Sequence, residues 1–350
     1  MSTPLGRARE LREAARADPD AVNPDHVLEL LRYPKRPVQR EAAEALLPLV
    51  TEHPRVGTAA VGRLAYLLRS VDVDAADEPD AERAFAETLL LALARVASVV
   101  PEKALTARQE VLAFLDDPAE PLAAPATVCL AQFVEAGPAS FVSHVSTFEA
   151  LLDAESAAVR RTAVHILTQL GATYPGAITD AVPALGDRLS DSDPESAKKA
   201  AVALGLAARN DSQAVTESAP ALAAVLNATE RGLRANAAGA LADIAEDVPS
   251  AVADHEEALL AQLDDDAPAV RRNATAALAR LAHAGASMEG AAQRGLIELL
   301  DDPDTTVRVT ACRALGNVES PVAQELLRHT ATDDDSPAVR QAAQRALERA

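Results

Sequence analysis

From about residue 25 onward, apolar residues recur at helical spacing, in short runs broken by turns rich in Asp and Pro. That period predicts amphipathic helices and argues against strands. One phrase returns along the chain: an apolar stretch, an acidic turn, a basic residue, then Ala and Leu on one helical face. FEALLDAESAAVRRTAVHILTQL, ALLAQLDDDAPAVRRNATAALARL and GLIELLDDPDTTVRVTACRALGNV are three instances. With the Val before the Arg as anchor, copies align at Val159, Val270, Val307 and Val339. Degenerate copies fit at Ser196 and Leu233, and earlier ones at Val38, Glu82 and Leu122. The steps between anchors are 44, 40, 37, 37, 37, 37, 37 and 32 residues, and five equal steps in a row mark a repeat.

Each copy reads as two antiparallel helices. Four and eight residues past the anchor stand Ala163/Leu167, Ala200/Leu204, Ala237/Leu241, Ala274/Leu278, Ala311/Leu315 and Ala343/Leu347. Small next to large on one face lets neighbouring helices approach closely. The preceding helix has its own stripe, as in Leu296, Leu299 and Leu300, and the turn between, such as Asp301-Asp302-Pro303-Asp304, supplies caps for helix N-termini. Breaks such as Tyr174-Pro175-Gly176 and Val248-Pro249-Ser250 separate copies. One helix pair cannot bury both its faces, so the copies must stack and share a core. The expectation is an all-α fold, an α-solenoid (a right-handed superhelix) of about nine antiparallel helix-pair repeats. Residues 25–350 form a single solenoid in this reading. Residues 1–24, with Leu5, Ala8 and Leu11 on one face, form an N-terminal helical cap.

Composition sharpens this. Of 350 residues 80 are Ala, aromatics make up 2% and Trp is absent, so the core must be Leu, Val and Ala between closely packed helices. Sandwiches and barrels, which lean on aromatic and β-branched residues, are disfavoured. The pattern resembles the HEAT-repeat family over about residues 25–350. The residues that carry the resemblance are the turn Asp five before the anchor (Asp117, Asp191, Asp265, Asp302, Asp334) and the basic residue one after it (Arg83, Arg160, Arg234, Arg271, Arg308, Arg340). Around Ser196 and Leu233 the acidic or basic partner is shifted or missing. The shorter HEAT-like repeats of the phycobilisome-lyase type are similar too. The HEAT-repeat resemblance implies a scaffold that binds a partner along the concave face lined by second helices, and the lyase-type resemblance implies an enzyme or a subunit of one.

Local chemistry is sparse. Seven His residues are scattered, without HExxH or a His/Cys cluster at zinc spacing. Some HEAT-type enzymes hold iron with several His-Glu pairs; here only His255-Glu256 stands, read as charged surface. GxxxxGK[ST], GxGxxG and GxSxG do not occur, and no cofactor is implied. The run Asp72, Asp74, Asp77, Glu78, Asp80 lacks the Gly and closing Glu of an EF-hand, so capping and solvation are favoured over a cation site. Cys129 and Cys312 read as small buried residues of a reducing compartment. The N-terminus lacks the apolar core of a secretory signal and no window reaches membrane-spanning length, so a soluble, cytoplasmic protein with no membrane partner is expected.

A basic row follows the second helices. The residue one after the anchor is assigned to pairing with a turn Asp of its own or the next copy. Arg161, Lys198 and Arg272 are surplus to that ladder. With Thr162, His165, Lys199, Asn236, Asn273 and Thr310 they define a polar, locally basic strip, the candidate partner-binding groove. The reading is a non-catalytic protein-interaction scaffold or adaptor whose partner is another protein. Two alternatives stay open: a lyase-type or regulatory subunit of an enzyme, and binding of a nucleic-acid backbone through the strip. The second is disfavoured by a net charge of −20 and the lack of stacking aromatics.

That charge, with Arg replacing Lys and Ala as filler, looks like adaptation to molar salt. The compact chain repels itself, and at about 1 M ionic strength a Debye length of about 3 Å screens the repulsion. The melting temperature is therefore expected to rise between dilute buffer and 2 M KCl; a salt-independent value by circular dichroism would contradict this reading of the composition.

Overall fold

The computed structural model describes residues 3–74, 76–115, 121–284, 290–318 and 320–349, and every regular element among them is helical. The chain folds as stacked helix pairs, an all-α repeat solenoid, and divides into two compact units, 1–170 and 171–350.

In the first unit, α1 (Pro4–Ala17) precedes α2 (Pro24–Leu31), α3 (Arg36–Glu52), α4 (Pro54–Arg69), α5 (Pro79–Val99), α6 (Ala123–Ala136) and α7 (Ala157–Thr173), whose last residues pass into the second unit. Proline opens α1, α2, α4 and α5, where its missing N–H is not needed by the helix. Thr3 caps α1, its hydroxyl accepting from Gly6 N–H at 3.1 Å. The helix α1 packs on α3 through fully buried Ala8 and Ala15, then α3 packs on α5 and α5 on α6. All five Phe of the chain lie in this unit, and Phe85, Phe133, Phe141 and Phe148 are fully buried. Here the repeat step is uneven, and larger side chains fill what regular Ala-spaced contacts would close.

The second unit is more regular. Its second helices are α8 (Pro194–Ala208), α9 (Arg231–Asp247), α10 (Pro268–His283), α11 (Thr305–Leu315) and, after the first helix α12 (Pro321–Asp333), α13 (Pro337–Leu347). They pack in order, α8 on α9, α9 on α10, α10 on α11 and α11 on α13. The expected small-and-large pairs face these contacts: Ala200, Ala237, Ala274, Ala311 and Ala343 are fully buried, as are Leu204, Leu241 and Leu278. Leu347, in the last described copy, is half-buried. At Gly316 an added Cβ would stand 2.8 Å from Ala346 Cβ and 2.9 Å from its Cα, so only glycine permits this α11–α13 approach. The first helices of four copies end in one 3-10 turn, after which Asp191, Ala228, Asp265 and Asp302 turn extended, with ψ of 139°, 150°, 143° and 137°.

Those turns are tied to one another by arginine forks. Arg234 Nε and Nη2 donate to both carboxylate oxygens of Asp265 in the next copy, at 2.6 and 2.9 Å. Arg271 does the same to Asp302 at 2.6 and 2.8 Å, and Arg308 to Asp334 at 2.9 and 3.1 Å. The third nitrogen, Nη1, donates to the carbonyl of its own turn: Ala228 at 2.9 Å, Asp265 at 2.8 Å and Asp302 at 3.0 Å, respectively. Each receiving Asp also accepts a backbone N–H two residues on, from Ala267, Asp304 or Ser336, at 2.8 Å in each case. One planar group thus joins two consecutive turns by charge-assisted bonds that match its geometry. Arg340 Nη1 donates to the Asp334 carbonyl at 2.6 Å. Asp117, the expected turn Asp of the copy anchored at Leu122, lies outside the described residues.

In the copy anchored at Val38 the basic residue is replaced by Gln39, and the Asp that follows it in the next copy, Asp77, is exposed to solvent. Two other copies lack both members of a rung: Ala197 is followed by Ala228, and Ala123 by Ala154. All but Ala228, which is half-buried, are buried. A charge left without its partner in such a turn would cost more than the whole rung contributes. Ser196, fully buried at an anchor where Val is usual, donates its hydroxyl to Asp191 at 3.3 Å.

Burial alone would raise the carboxyls of Asp265 and Asp334, but the forks of Arg234 and Arg308 and the backbone N–H donors outweigh it and hold both below 3.8. Arg234, Arg271 and Arg308 are raised, chiefly by the same bonds. Asp243 moves the other way, raised by burial against its neighbours Arg209 and Arg280, so its share of stability falls as pH rises.

Arg271→Ala leaves Asp302, 6% exposed, without its fork. We expect a loss of about 2–3 kcal/mol by urea unfolding, at the low end for a broken buried pair because the turns lie near solvent. Arg328→Ala, at an exposed pair with Glu325, should cost under about 1 kcal/mol; equal losses would refute the ladder's role. Because Asp265 and Asp334 bind protons less readily folded than unfolded, their stabilisation is complete above about pH 4 and lost as pH falls through their lowered values. Urea midpoints should drop in that acid window, and less steeply in Arg234→Ala/Arg308→Ala.

Candidate partner-binding face

The contacts that stack the copies use the anchor and the positions one, four and eight residues beyond it. What remains for a partner lies on the other side of each second helix. In the first unit, α7 carries Arg161 exposed, with Thr162 and His165 half-buried. Thr162 donates its hydroxyl to the Ala158 carbonyl at 2.8 Å, within its own helix. Arg160, one residue earlier, is bound through Nη1 to the carbonyls of Ala154 and Glu155 at 2.8 and 2.9 Å, as a ladder residue should be.

In the second unit, Lys198 and Lys199 are half-buried on α8, and Lys198 pairs with Glu195 one turn earlier. Arg272 is exposed on α10, its Nε 3.4 Å from Asn273 Oδ1. Thr310 on α11 donates to the Thr306 carbonyl at 2.9 Å. The two asparagines have a second engagement that sequence reasoning missed. Asn236 Nδ2 donates to the Lys198 carbonyl at 3.3 Å, and Asn273 Nδ2 to the Ala235 carbonyl at 2.7 Å, each 38 residues back. Both stitch one second helix to the preceding one. Gly239 leaves room for this, since a Cβ there would come within 3.1 Å of Asn273 Nδ2. The register of Asn three past the anchor in consecutive copies was the available signal.

Further along these helices, charges interleave. Arg209 Nε lies 3.0 Å from Asp243, Arg280 pairs with Glu246, and Ser212 donates to Asp247 at 2.8 Å. In the first unit a cleft of about 550 Å³ opens between α1, α3 and α5. Its arginines are matched: Arg12 to Glu41 at 2.7 Å, Arg9 to Glu41 at 3.2 Å, and Arg36 to Glu82 at 3.0 Å while stacking 4.6 Å over Phe85. Apolar side chains also face outward, Leu91 on α5 at 43% exposure and Val128 on α6 at 46%. Val128 stands six past its anchor, the register of His165, and could have been read from sequence; the uneven step hides Leu91.

Neither thiol is poised as a nucleophile: burial pushes Cys129 far up, and Cys312, helped by Asp334, up to about 12. Among the described residues no three His, Cys, Asp or Glu side chains stand where they could hold a metal ion. In the 72–80 loop, Asp80 lies 2.9 Å from Arg83. No helix among the described residues is long and apolar enough to cross a membrane.

Residues 256–348 match the family described as HEAT repeats. No curated protein matches the chain. Among solved structures, the crystal structure of an engineered protein is similar over all of this chain and 96% of its own, with a TM-score of 0.81 and 26% identity. A designed armadillo repeat protein is similar over 59% of this chain and 99% of its own, with a TM-score of 0.51 and 24% identity. Another, solved in complex with the peptide (KR)4, covers 59% of this chain and 98% of its own, with a TM-score of 0.53 and 21% identity. These likenesses establish the repeat fold.

Proposed function

We propose that the chain is a non-catalytic scaffold or adaptor that holds a protein partner along the face of its second helices. The observation that carries this is the division of labour within each helix. Stacking uses the anchor face and the turn ladder, while Arg161 and Arg272 stand exposed two residues past their anchors, with half-buried Lys198 in the same register. Side chains repeated in one register along stacked second helices suit recognition of an extended partner. Leu91 and Val128 add apolar area in the first unit. The peptide complex of the designed armadillo protein supports the same mode of use for a helical repeat stack. Arg161, Lys198 and Arg272 are assigned direct contacts, with Thr162, His165, Lys199 and Thr310 beside them. Asn236 and Asn273 serve the face by holding adjacent helices in register.

We read residues 25–350 as one solenoid capped by 1–24, since the 37-residue step runs through position 170 unbroken. We place the protein in the cytoplasm, where two buried unpaired thiols persist. Arg161→Glu/Lys198→Glu/Arg272→Glu should abolish partner capture from a high-salt lysate, with the captured protein identified by mass spectrometry and its affinity then measured for both forms. Arg161 and Arg272 are exposed and Lys198 is half-buried with its ammonium on Glu195, so the far-UV spectrum should not change. Equal capture by the reversed variant would overturn the assignment of this face.

A further inference from the structure

At the C-terminal end of the second unit, α11 and α13 enclose a cleft of about 400 Å³. Arg313, Gln341, Arg345 and Arg349 line it above an apolar floor that includes Val309 and Ala342. Arg313 and Arg345 each stand six residues past their anchors, and Gln341 two past its own, so the cleft belongs to the second-helix face. All three guanidinium-bearing residues are exposed. No carboxylate lines the cleft and neither α11 nor α13 contains an Asp or Glu; Glu348, at the C-cap of α13, is exposed and outside the lining. Several arginines of this unit are spent on carboxylates, as in Arg209–Asp243, Arg234–Asp265, Arg271–Asp302 and Arg280–Glu246; Arg231, Arg272 and Arg294 stand singly on other parts of the surface, whereas the cleft brings three arginines together. Among the described residues, Arg313, Arg345 and Arg349 have no such partner.

We infer that this cleft binds an acidic peptide segment in extended conformation, a reading that rests on the second-helix face being the partner-binding one. Guanidinium groups recognise carboxylates by paired N–H donors. Arg345 lies in the last turn of α13 and Arg349 just past its end, four residues on, while Arg313 sits on a helix about 8–10 Å away. Alternate side chains of an extended peptide repeat at about 7 Å, so acids at every second position meet successive arginines. Gln341 supplies a neutral amide for a backbone group, and the small apolar floor leaves room for the main chain. The spread of the three charges, and the groove between them, favour several carboxylates in a row over one compact anion.

The test uses the full chain at the lowest KCl concentration that leaves its far-UV spectrum unchanged. A fluorescein-labelled (Asp-Ala)5 peptide should bind by anisotropy, while (Lys-Ala)5 should not. Arg313→Gln/Arg345→Gln/Arg349→Gln should weaken binding at least about tenfold with the same spectrum and melting temperature, whereas Arg231→Gln/Arg294→Gln, exposed elsewhere in the unit, should leave it unchanged. Unaltered binding by the cleft variant, or no binding by the native chain, would overturn the proposal. Displacement of the peptide by inorganic phosphate at matched charge concentration would also overturn it, in favour of a simple oxyanion site. The Arg161/Lys198/Arg272 variant retains these three arginines, so a failure of the wider face and a failure of the cleft give different results.

Discussion

The regular part of this fold depends on one contact: a guanidinium fork that reaches from a second helix to the turn of the next copy, made in three consecutive copies. Arg234, Arg271 and Arg308 each hold a carboxylate of the following copy and a carbonyl of their own turn. The bond fixes both the distance between consecutive copies and the angle at which the chain leaves each turn. The extended residue after each 3-10 turn and the N–H donated to the turn Asp are fitted to the same geometry. A half-made rung would leave a charge in a site from which water is partly excluded. Where the turn is shielded both members are absent together, as in Ala197/Ala228 and Ala123/Ala154, whereas Asp77, which follows Gln39, is exposed to water.

The second constraint is volume. Fully buried Ala at the fourth position past the anchor brings second helices close, and Gly316 marks an approach that not even a methyl group tolerates. Such contacts leave no aromatic ring in the core of the second unit, where Tyr174 is exposed, whereas the uneven copies of the first unit enclose Phe85, Phe133, Phe141 and Phe148. With the inward positions committed to packing and the turns to the ladder, the side chains left outside both lie on the solvent side of the second helices. Charge is distributed accordingly. Carboxylates take the turns and the matched pairs, while Arg313, Arg345 and Arg349, none with a carboxylate partner among the described residues, line one cleft between α11 and α13. A net charge of −20 therefore coexists with a local surface of opposite sign.

How much of this could be read from sequence varied by feature. Helix pairs, their 37-residue step and the Ala/Leu contacts were legible, because helical periodicity and residue size report directly on which positions are buried. The arginine ladder was legible as a pairing, with the choice between its own and the next copy left open. Asn236 and Asn273 were legible as polar residues on the second helices but not as ties between them, since their partners are backbone carbonyls, which leave no trace in residue type. The outward setting of Leu91 was hidden by an uneven step, and the cleft beside Arg313 by the plainness of three arginines spread over 37 residues.

The sequence by itself determined the element type, the repeat and the composition of the core, because these follow from local spacing and volume. Tertiary structure alone decided which partner each charge takes. A carboxylate and a guanidinium are the same on paper whether they meet at 2.6 Å, as Arg271 and Asp302 do, or never meet, and only the stacking of copies sets that distance. It decided in the same way which arginines were left over. Charge count is a property of the chain, but an unmatched charge is a property of its packing.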